Sequence, residues 1–279
     1  MGLTGATGLF DRNSKTIQAM APLLQRVLIV DPQVANAKLL GELMRSMVRC
    51  QVWAAASGAK ALKLAGSVTP DVIFVELAGE GLDGVDFTRR LRRSNLTCRD
   101  APVIMATSQA TAASILAARD AGVHEFIRKP FTVKDLTRRL EAVTLHPRDW
   151  IEAVDYVGPD RRRFNSGDYG GPLKRRSDAP KAPEAARTGQ ALKILRSAIG
   201  AAERDPAQAL RAMQTQAKEL QKAAAAAGDM KLTNAALELI RYLGEVERNA
   251  ASFTVADVQA RAAPLLAYLP REERSSEAA

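Results

Sequence analysis

Pro70-Asp71-Val72-Ile73-Phe74-Val75-Glu76-Leu77, followed by Ala78-Gly79-Glu80-Gly81-Leu82-Asp83-Gly84, is the stretch that decides the fold. Residues 72–75 are apolar and largely β-branched, which suits a parallel strand covered on both faces. Glu76 ends that run beside a glycine-rich loop. In an open α/β sheet this is the place of the ligand site, outside the carboxyl ends of the strands.

The segments on either side of this stretch alternate in the same manner. Arg26-Val27-Leu28-Ile29-Val30-Asp31 reads as an earlier buried strand ending in an acid. Ala37, Leu40, Met44 and Met47 then recur at helical spacing, residues 52–56 form a second strand, and Ser57 caps a helix over 59–65. Beyond Asp83-Gly84 comes a helix over 86–93, whose outer face is expected to carry Arg89, Arg90, Arg92 and Arg93. Pro102-Val103-Ile104-Met105-Ala106 is a fourth strand ending at Thr107-Ser108, and a helix over 110–121 stops at Gly122. Glu125-Phe126-Ile127-Arg128 is a fifth strand ending at Lys129-Pro130. Thr132 with Asp135 makes a capping box for a helix through Val143. Five strands alternating with five helices predict a doubly wound parallel sheet of the flavodoxin-like kind.

Composition narrows the function classes. The 279 residues suffice for two domains, and 47% hydrophobic with 25% charged residues is the balance of a globular chain. A net charge of +9 makes an anionic partner worth testing, although a solvated basic surface is the simpler explanation. Cys50 and Cys98 lie far apart and outside any metal-ligand spacing, as expected of reduced thiols. No apolar run approaches the ~18 residues of a spanning helix. Nor does the start show a basic region followed by an apolar core, so a cytoplasmic location is expected. His124 and His146 are the only histidines. No metal cluster, phosphate-binding glycine loop or Ser-His-Asp set is present, and an enzyme is not expected.

The motifs VLIVD, PDVIFVEL with its following DG, PVIMATS and FIRKPF, in that order and spacing, resemble a bacterial two-component response-regulator receiver domain over residues 26–146. Receivers accept phosphate from a histidine kinase on an aspartate. The resemblance implies that Thr107 is the hydroxyl and Lys129 the lysine that bind phosphate oxygens, and that Phe126 is the switch aromatic. It also implies a cis bond at Lys129-Pro130. The expected partner face comprises residues 110–121, 125–128 and 132–143.

Two positions depart from the pattern. The family has two consecutive acids after the first strand, whereas this chain has Asp31 and Pro32. Mg²⁺ requires near-octahedral oxygen ligands, so Asp31 alone is expected to hold it weakly, and no other cofactor is expected. The phosphoacceptor position holds Glu76. One extra methylene shifts its oxygen off the in-line geometry of attack and carries the carboxylate towards Lys129 and Thr107. The resulting expectation is a degenerate pseudo-receiver in which Glu76 stands in for part of a phosphorylated aspartate; a plain salt bridge with Lys129 is the simpler alternative.

The rest of the chain divides by composition. Residues 1–25 read as an N-terminal extension that docks on the receiver-like domain or stays mobile. Residues 147–186 form a linker rich in Arg, Pro and Gly, in which Trp150 and Tyr156 suggest packing back at its start. Within it Arg161, Arg162, Arg163, Arg175 and Arg176 are a candidate anion-binding set, because guanidinium pairs bidentately with phosphate. A solvated linker, docking of an acidic protein and capture of a nucleotide such as a cyclic dinucleotide all remain open there. The RxxxR spacing of PilZ-type domains is absent from this segment.

Residues 187–270 carry four apolar stripes of a/d type, as in an antiparallel helical bundle, and 271–279 read as a disordered tail. Both histidines precede Pro147, so this bundle cannot carry histidine phosphotransfer. It also shows no recognition-helix pattern, so nucleic acid is not an expected partner.

The function expected is a two-component-type signalling protein that works by protein–protein contact without ordinary aspartate phosphorylation. Its partner would be a histidine kinase or another two-component protein, or a second copy of the chain. The alternatives are a phosphorylation-dependent regulator of a phosphorelay, and an effector responding to nucleotide or nucleic acid through the arginine segment.

Overall fold

In a computed structural model, the structure describes residues 14–161, 183–248 and 254–269. The described residues fold as two compact units, one around residues 14–151 with 157–161 and the other around 152–156 with the C-terminal helices.

The first unit is built on five parallel strands: β1 (Arg26–Val30), β2 (Gln51–Ala55), β3 (Val72–Val75), and two more after a small ribbon. That ribbon is β4 (Ala78–Gly79) against β5 (Leu82–Asp83), where the sequence suggested only a loop. It is followed by β6 (Val103–Thr107) and β7 (Glu125–Arg128). The sheet order is β2-β1-β3-β6-β7, the flavodoxin-like order of a doubly wound sheet with its reversal between β1 and β3. Register places Val30 beside Val75 and Val75 beside Met105, so the C-terminal ends of the three central strands share one rim.

Alternation along the strands fills both faces. Ile29, Phe74, Ile104 and Ile127 point to one side and pack with Leu40, Met44, Leu136 and Leu140. These last come from α2 (Val34–Met47) and α6 (Val133–Thr144). Val30, Ile73, Met105 and Phe126 point to the other side, towards α3 (Gly58–Val68), α4 (Gly84–Arg93) and α5 (Ala112–Asp120). A strand covered on both faces has no polar side to show, which is why residues 72–75 are all buried.

The N-terminal segment docks on this unit. Helix α1 (Lys15–Met20) is capped by Ser14, and Ile17, Met20 and Leu24 join the core beside α6. Residues 147–161, read as the front of a linker, carry an antiparallel ribbon of β8 (Trp150–Glu152) and β9 (Val157–Pro159). Trp150 lies in the first unit, over Arg92 with 5.2 Å from guanidinium carbon to ring centroid, while Tyr156 belongs to the second.

Arg92 corrects an expectation. It is not on an outer helix face but 1% exposed. Its Nε donates to Gly122 O at 3.0 Å, and one terminal nitrogen donates to Arg99 O and Ala101 O at 2.6 and 2.9 Å. The other terminal nitrogen lies 3.1 Å from His124 Nδ1, which also accepts from Val103 N–H at 3.2 Å. With both neighbours donating, Nδ1 carries no proton and His124 is the neutral Nε2–H tautomer. Helical periodicity could not reveal this, because a guanidinium can be buried wherever carbonyls converge on it.

The second unit contains α7 (Pro183–Gly200), α8 (Pro206–Ala227), α9 (Met230–Arg248) and α10 (Val255–Leu266). Each helix packs on the next, and α10 packs on α7. Leu195, Met213, Leu220, Leu239, Leu243 and Val258 share its core. Asp205 caps α8 ahead of Pro206, Gly228 closes it with φ +72°, and Thr254 caps α10. Glu152 and Val154 belong to this unit. The Glu152 side chain accepts from Gln208 Nε2 at 2.7 Å, and its carbonyl accepts from Gln216 Nε2 at 3.1 Å.

Candidate functional site

Chain direction alone brings the first residues of the site together. In a parallel sheet every strand ends on the same rim, so Asp31 after β1, Glu76 after β3, Thr107 at the end of β6 and Lys129 after β7 converge there. Backbone bonds hold them in place. Glu76 N–H donates to Val30 O and Lys129 N–H to Thr107 O, each at 2.8 Å.

The side chains form a closed ionic cluster. Lys129 Nζ donates to Glu76 Oε2 at 2.8 Å and to Asp31 Oδ2 at 2.9 Å. The remaining oxygens are also engaged: Glu76 Oε1 accepts from Leu77 N–H, and Asp31 Oδ1 from Gln33 N–H, both at 2.8 Å. Burial pulls the Lys129 ammonium towards deprotonation. The hydrogen bonds and charges of Glu76 and Asp31 outweigh that and hold its pKa above the ordinary lysine value. Two carboxylates against one ammonium leave a formal charge of −1.

The loop after β3 is shaped to fit this cluster. A Cβ on Gly84 would lie 2.2 Å from Glu76 O, so the backbone approaches too closely for any side chain. Asp83 caps α4 through Val85 N–H and Asp86 N–H, both at 2.9 Å. Pro32, in place of an acid, packs against Gly79, where an added Cβ would lie 2.7 Å from Pro32 Cγ.

Thr107 and Phe126 stand differently. Thr107 is buried, and its hydroxyl accepts from Gln109 N–H at 3.2 Å with no bond to Glu76 or Lys129. The longer Glu76 side chain therefore reaches the lysine but not the hydroxyl. Phe126 is 4% exposed, packed in the core on the α3–α5 side of the sheet. The Lys129–Pro130 bond is cis.

The residues fit Mg²⁺ poorly. Both oxygens of each carboxylate already accept hydrogen bonds, Pro32 offers no ligand, and no group of three candidate metal ligands occurs among the described residues. Of the arginine set, Arg161 lies 3.0 Å from Asp120 Oδ1 at the end of α5. Burial alone would raise the Asp120 pKa, but hydrogen bonds from Arg161 and Arg119 bring it below the ordinary value. Arg162, Arg163, Arg175 and Arg176 lie outside the described residues.

One feature of the site escaped sequence reading. A pocket of about 690 Å³ opens beside the cluster, lined by Leu39 and Leu43 of α2 and Phe131 after β7 together with Asp31, Glu76 and Lys129. Leu39 is 69% exposed. The α2 stripe of buried residues shows in the sequence as helical spacing, whereas Leu39 lies outside that stripe and carries no periodic signal.

Residues 27–141 match the model of the response regulator receiver domain. The chain is 32% identical over 119 residues to a probable transcriptional regulator, ycf27, of Guillardia theta, covering 43% of this chain and 45% of that protein. It is 31% identical over 120 residues to the DNA-binding dual master transcriptional regulator RpaA of Synechocystis, covering 43% and 49%. Among solved structures, a putative response regulator from Chloroflexus aurantiacus is 26% identical, with 44% of this chain and 99% of that chain covered and a TM-score of 0.40. The chain spans about half the length of the curated relatives it matches. No helix among the described residues is long and apolar enough to cross a membrane.

Proposed function

We propose that this chain is a cytoplasmic two-component-type signalling protein whose receiver domain acts by protein–protein contact, without ordinary aspartate phosphorylation. The observation that carries the reading is the pair of hydrogen bonds that Lys129 Nζ donates to Glu76 and Asp31. In a phosphorylating receiver the lysine must meet an incoming phosphoryl group and a metal must offset its charge. Here two carboxylates already hold the lysine, and the position of the second acid is Pro32. A dianionic phosphoryl donor approaching a cluster of charge −1 would be repelled. Glu76 thus takes the role of a fixed ligand for Lys129, which sets the domain in one state and needs no turnover. The partner would be a histidine kinase, another two-component protein or a second copy of the chain, and the C-terminal helical bundle would serve docking or oligomerisation.

The named relatives favour one second reading, a phosphorylation-dependent response regulator. Two are called transcriptional regulators and one of these is called DNA-binding. The matches cover less than half of this chain, so they do not reach the C-terminal helices as well as the receiver domain. Incubation with acetyl phosphate and Mg²⁺ followed by intact mass measurement separates the two readings. No phosphoryl adduct is expected. A stable gain of one phosphoryl group that disappears in Glu76→Ala would establish the second reading instead.

A further inference from the structure

A second feature of the receiver domain lies at the open edge of the sheet and meets the ionic cluster only at Asp31. Strand β2 is the terminal strand and pairs only with β1. Gln51 N–H donates to Gln25 O at 2.8 Å, and Ala55 O accepts from Asp31 N–H at 3.0 Å. Backbone groups alternate sides along a strand, so Val52 and Ala54 turn their N–H and C=O groups outward. Ala54 is exposed and Val52 half-buried.

A cleft of about 750 Å³ runs along this edge, between α2 and α3. Its floor is apolar, and its walls carry Lys38 and Arg45 from α2 and Lys60 and Lys63 from α3. All four cations are exposed, and none makes an ion pair with a described residue. Asp31, the one acid among the described residues lining the cleft, is already bound to Lys129.

We propose that this edge binds an extended acidic peptide segment of a partner protein by strand addition to β2. The charge opposes pairing of this edge with the same edge of a second copy, because that would bring eight cations together. The backbone argues against a polyphosphate, because the edge presents carbonyl oxygens as well as N–H donors. A peptide strand supplies both kinds of group, about 4.8 Å from β2. Its side chains alternate between the two walls, so acidic residues at adjacent positions would reach α2 and α3 in turn. Exposed lysines on the helices flanking an open strand could instead serve only to discourage aggregation between sheets. That role needs no binding and is the outcome to be distinguished.

The probe is a capped octapeptide, Glu-Glu-Val-Val-Glu-Glu-Val-Val, and the same peptide N-methylated at alternate residues. The N-methylated form keeps the charge but removes backbone donors. Titration into the full chain, with amide exchange read residue by residue, should show slowed exchange at Val52 and Ala54. Affinity should fall at least tenfold on N-methylation, and at least tenfold in Lys60→Glu/Lys63→Glu, with an Arg45→Glu variant reporting on the other wall. These exposed substitutions leave the core intact, which a thermal melt checks. Absence of binding, equal binding of the two peptides, or binding without protection at Val52 and Ala54 would overturn the proposal. So would displacement of the peptide by duplex DNA at equal phosphate and carboxylate concentration.

Discussion

Removing Lys129 gives the sharpest test of the ionic cluster. In Lys129→Met the two carboxylates lose their shared cation while the methionine keeps most of the side-chain volume. Asp31 Oδ2 and Glu76 Oε2 contact the same nitrogen at 2.9 and 2.8 Å. The sum of those distances, about 5.7 Å, is the furthest apart they can lie, and at an effective dielectric of about 20 two charges so placed repel by roughly 3 kcal/mol. The side chains of Asp31 and Glu76 are 7% and 13% exposed, so solvent screens this repulsion little. Loss of one partner from a buried pair costs about 3–5 kcal/mol, and the lower end applies to a cluster at a strand-end rim.

Urea denaturation near neutral pH should therefore show Lys129→Met destabilised by about 3 kcal/mol. The loss carries a definite pH signature. With the cation gone, one carboxylate is pushed to a higher pKa in the folded state. The penalty is fully present above that raised value and fades as the pH falls and the group takes up a proton. Lys129→Met/Glu76→Gln should recover most of the stability at neutral pH. A loss below about 1 kcal/mol, or one that does not change between neutral and mildly acidic pH, would refute the cluster as described.

His124 predicts an acid-side loss of stability in the wild-type chain. Burial, with Arg92 and Arg148 nearby, holds its pKa well below the ordinary 6.5, so the unfolded chain takes up a proton there before the folded chain does. Stability is then full above about pH 6.5 and falls as the pH drops. Between about pH 7.5 and 5.5 wild type should lose roughly 1.4 kcal/mol more than His124→Gln, measured by urea midpoints. Arg92→Leu removes donors from three carbonyls and from His124 Nδ1, and should cost roughly 3 kcal/mol or more in the same assay. Gly84→Ala forces a Cβ against the Glu76 carbonyl. It should destabilise by about 1–3 kcal/mol and shift the Glu76 and Leu77 amide signals in NMR spectra.

Much of the architecture was legible because its signals are local. Alternating apolar runs and capped helices predicted five strands and their order along the chain, and the stripes at Leu195, Met213, Leu239 and Val258 all lie in the C-terminal core. Boundaries moved by a residue or two, as at β6, which begins at Val103 and includes Thr107. The ribbon at residues 150–159 went unread because each strand is three residues long, too short for a period to show. Arg92 was misplaced because a charged residue counts as polar in any periodic pattern, whatever donors and acceptors await it inside.

The order of residues places a glutamate after the third strand, a proline beside the acid after the first, and a lysine after the fifth. It thereby specified which chemical groups would meet at one rim of a parallel sheet. What they do there depends on how the folded strands bring them together. Asp31 and Lys129 are 98 residues apart, and Glu76 and Lys129 53 apart. Their distances are set by strand order and crossover, not by spacing along the chain. The extra methylene of Glu76 was visible from the start. That it closes on Lys129 and leaves Thr107 aside follows from where β3, β6 and β7 end, and from the Leu77 N–H that holds its second oxygen.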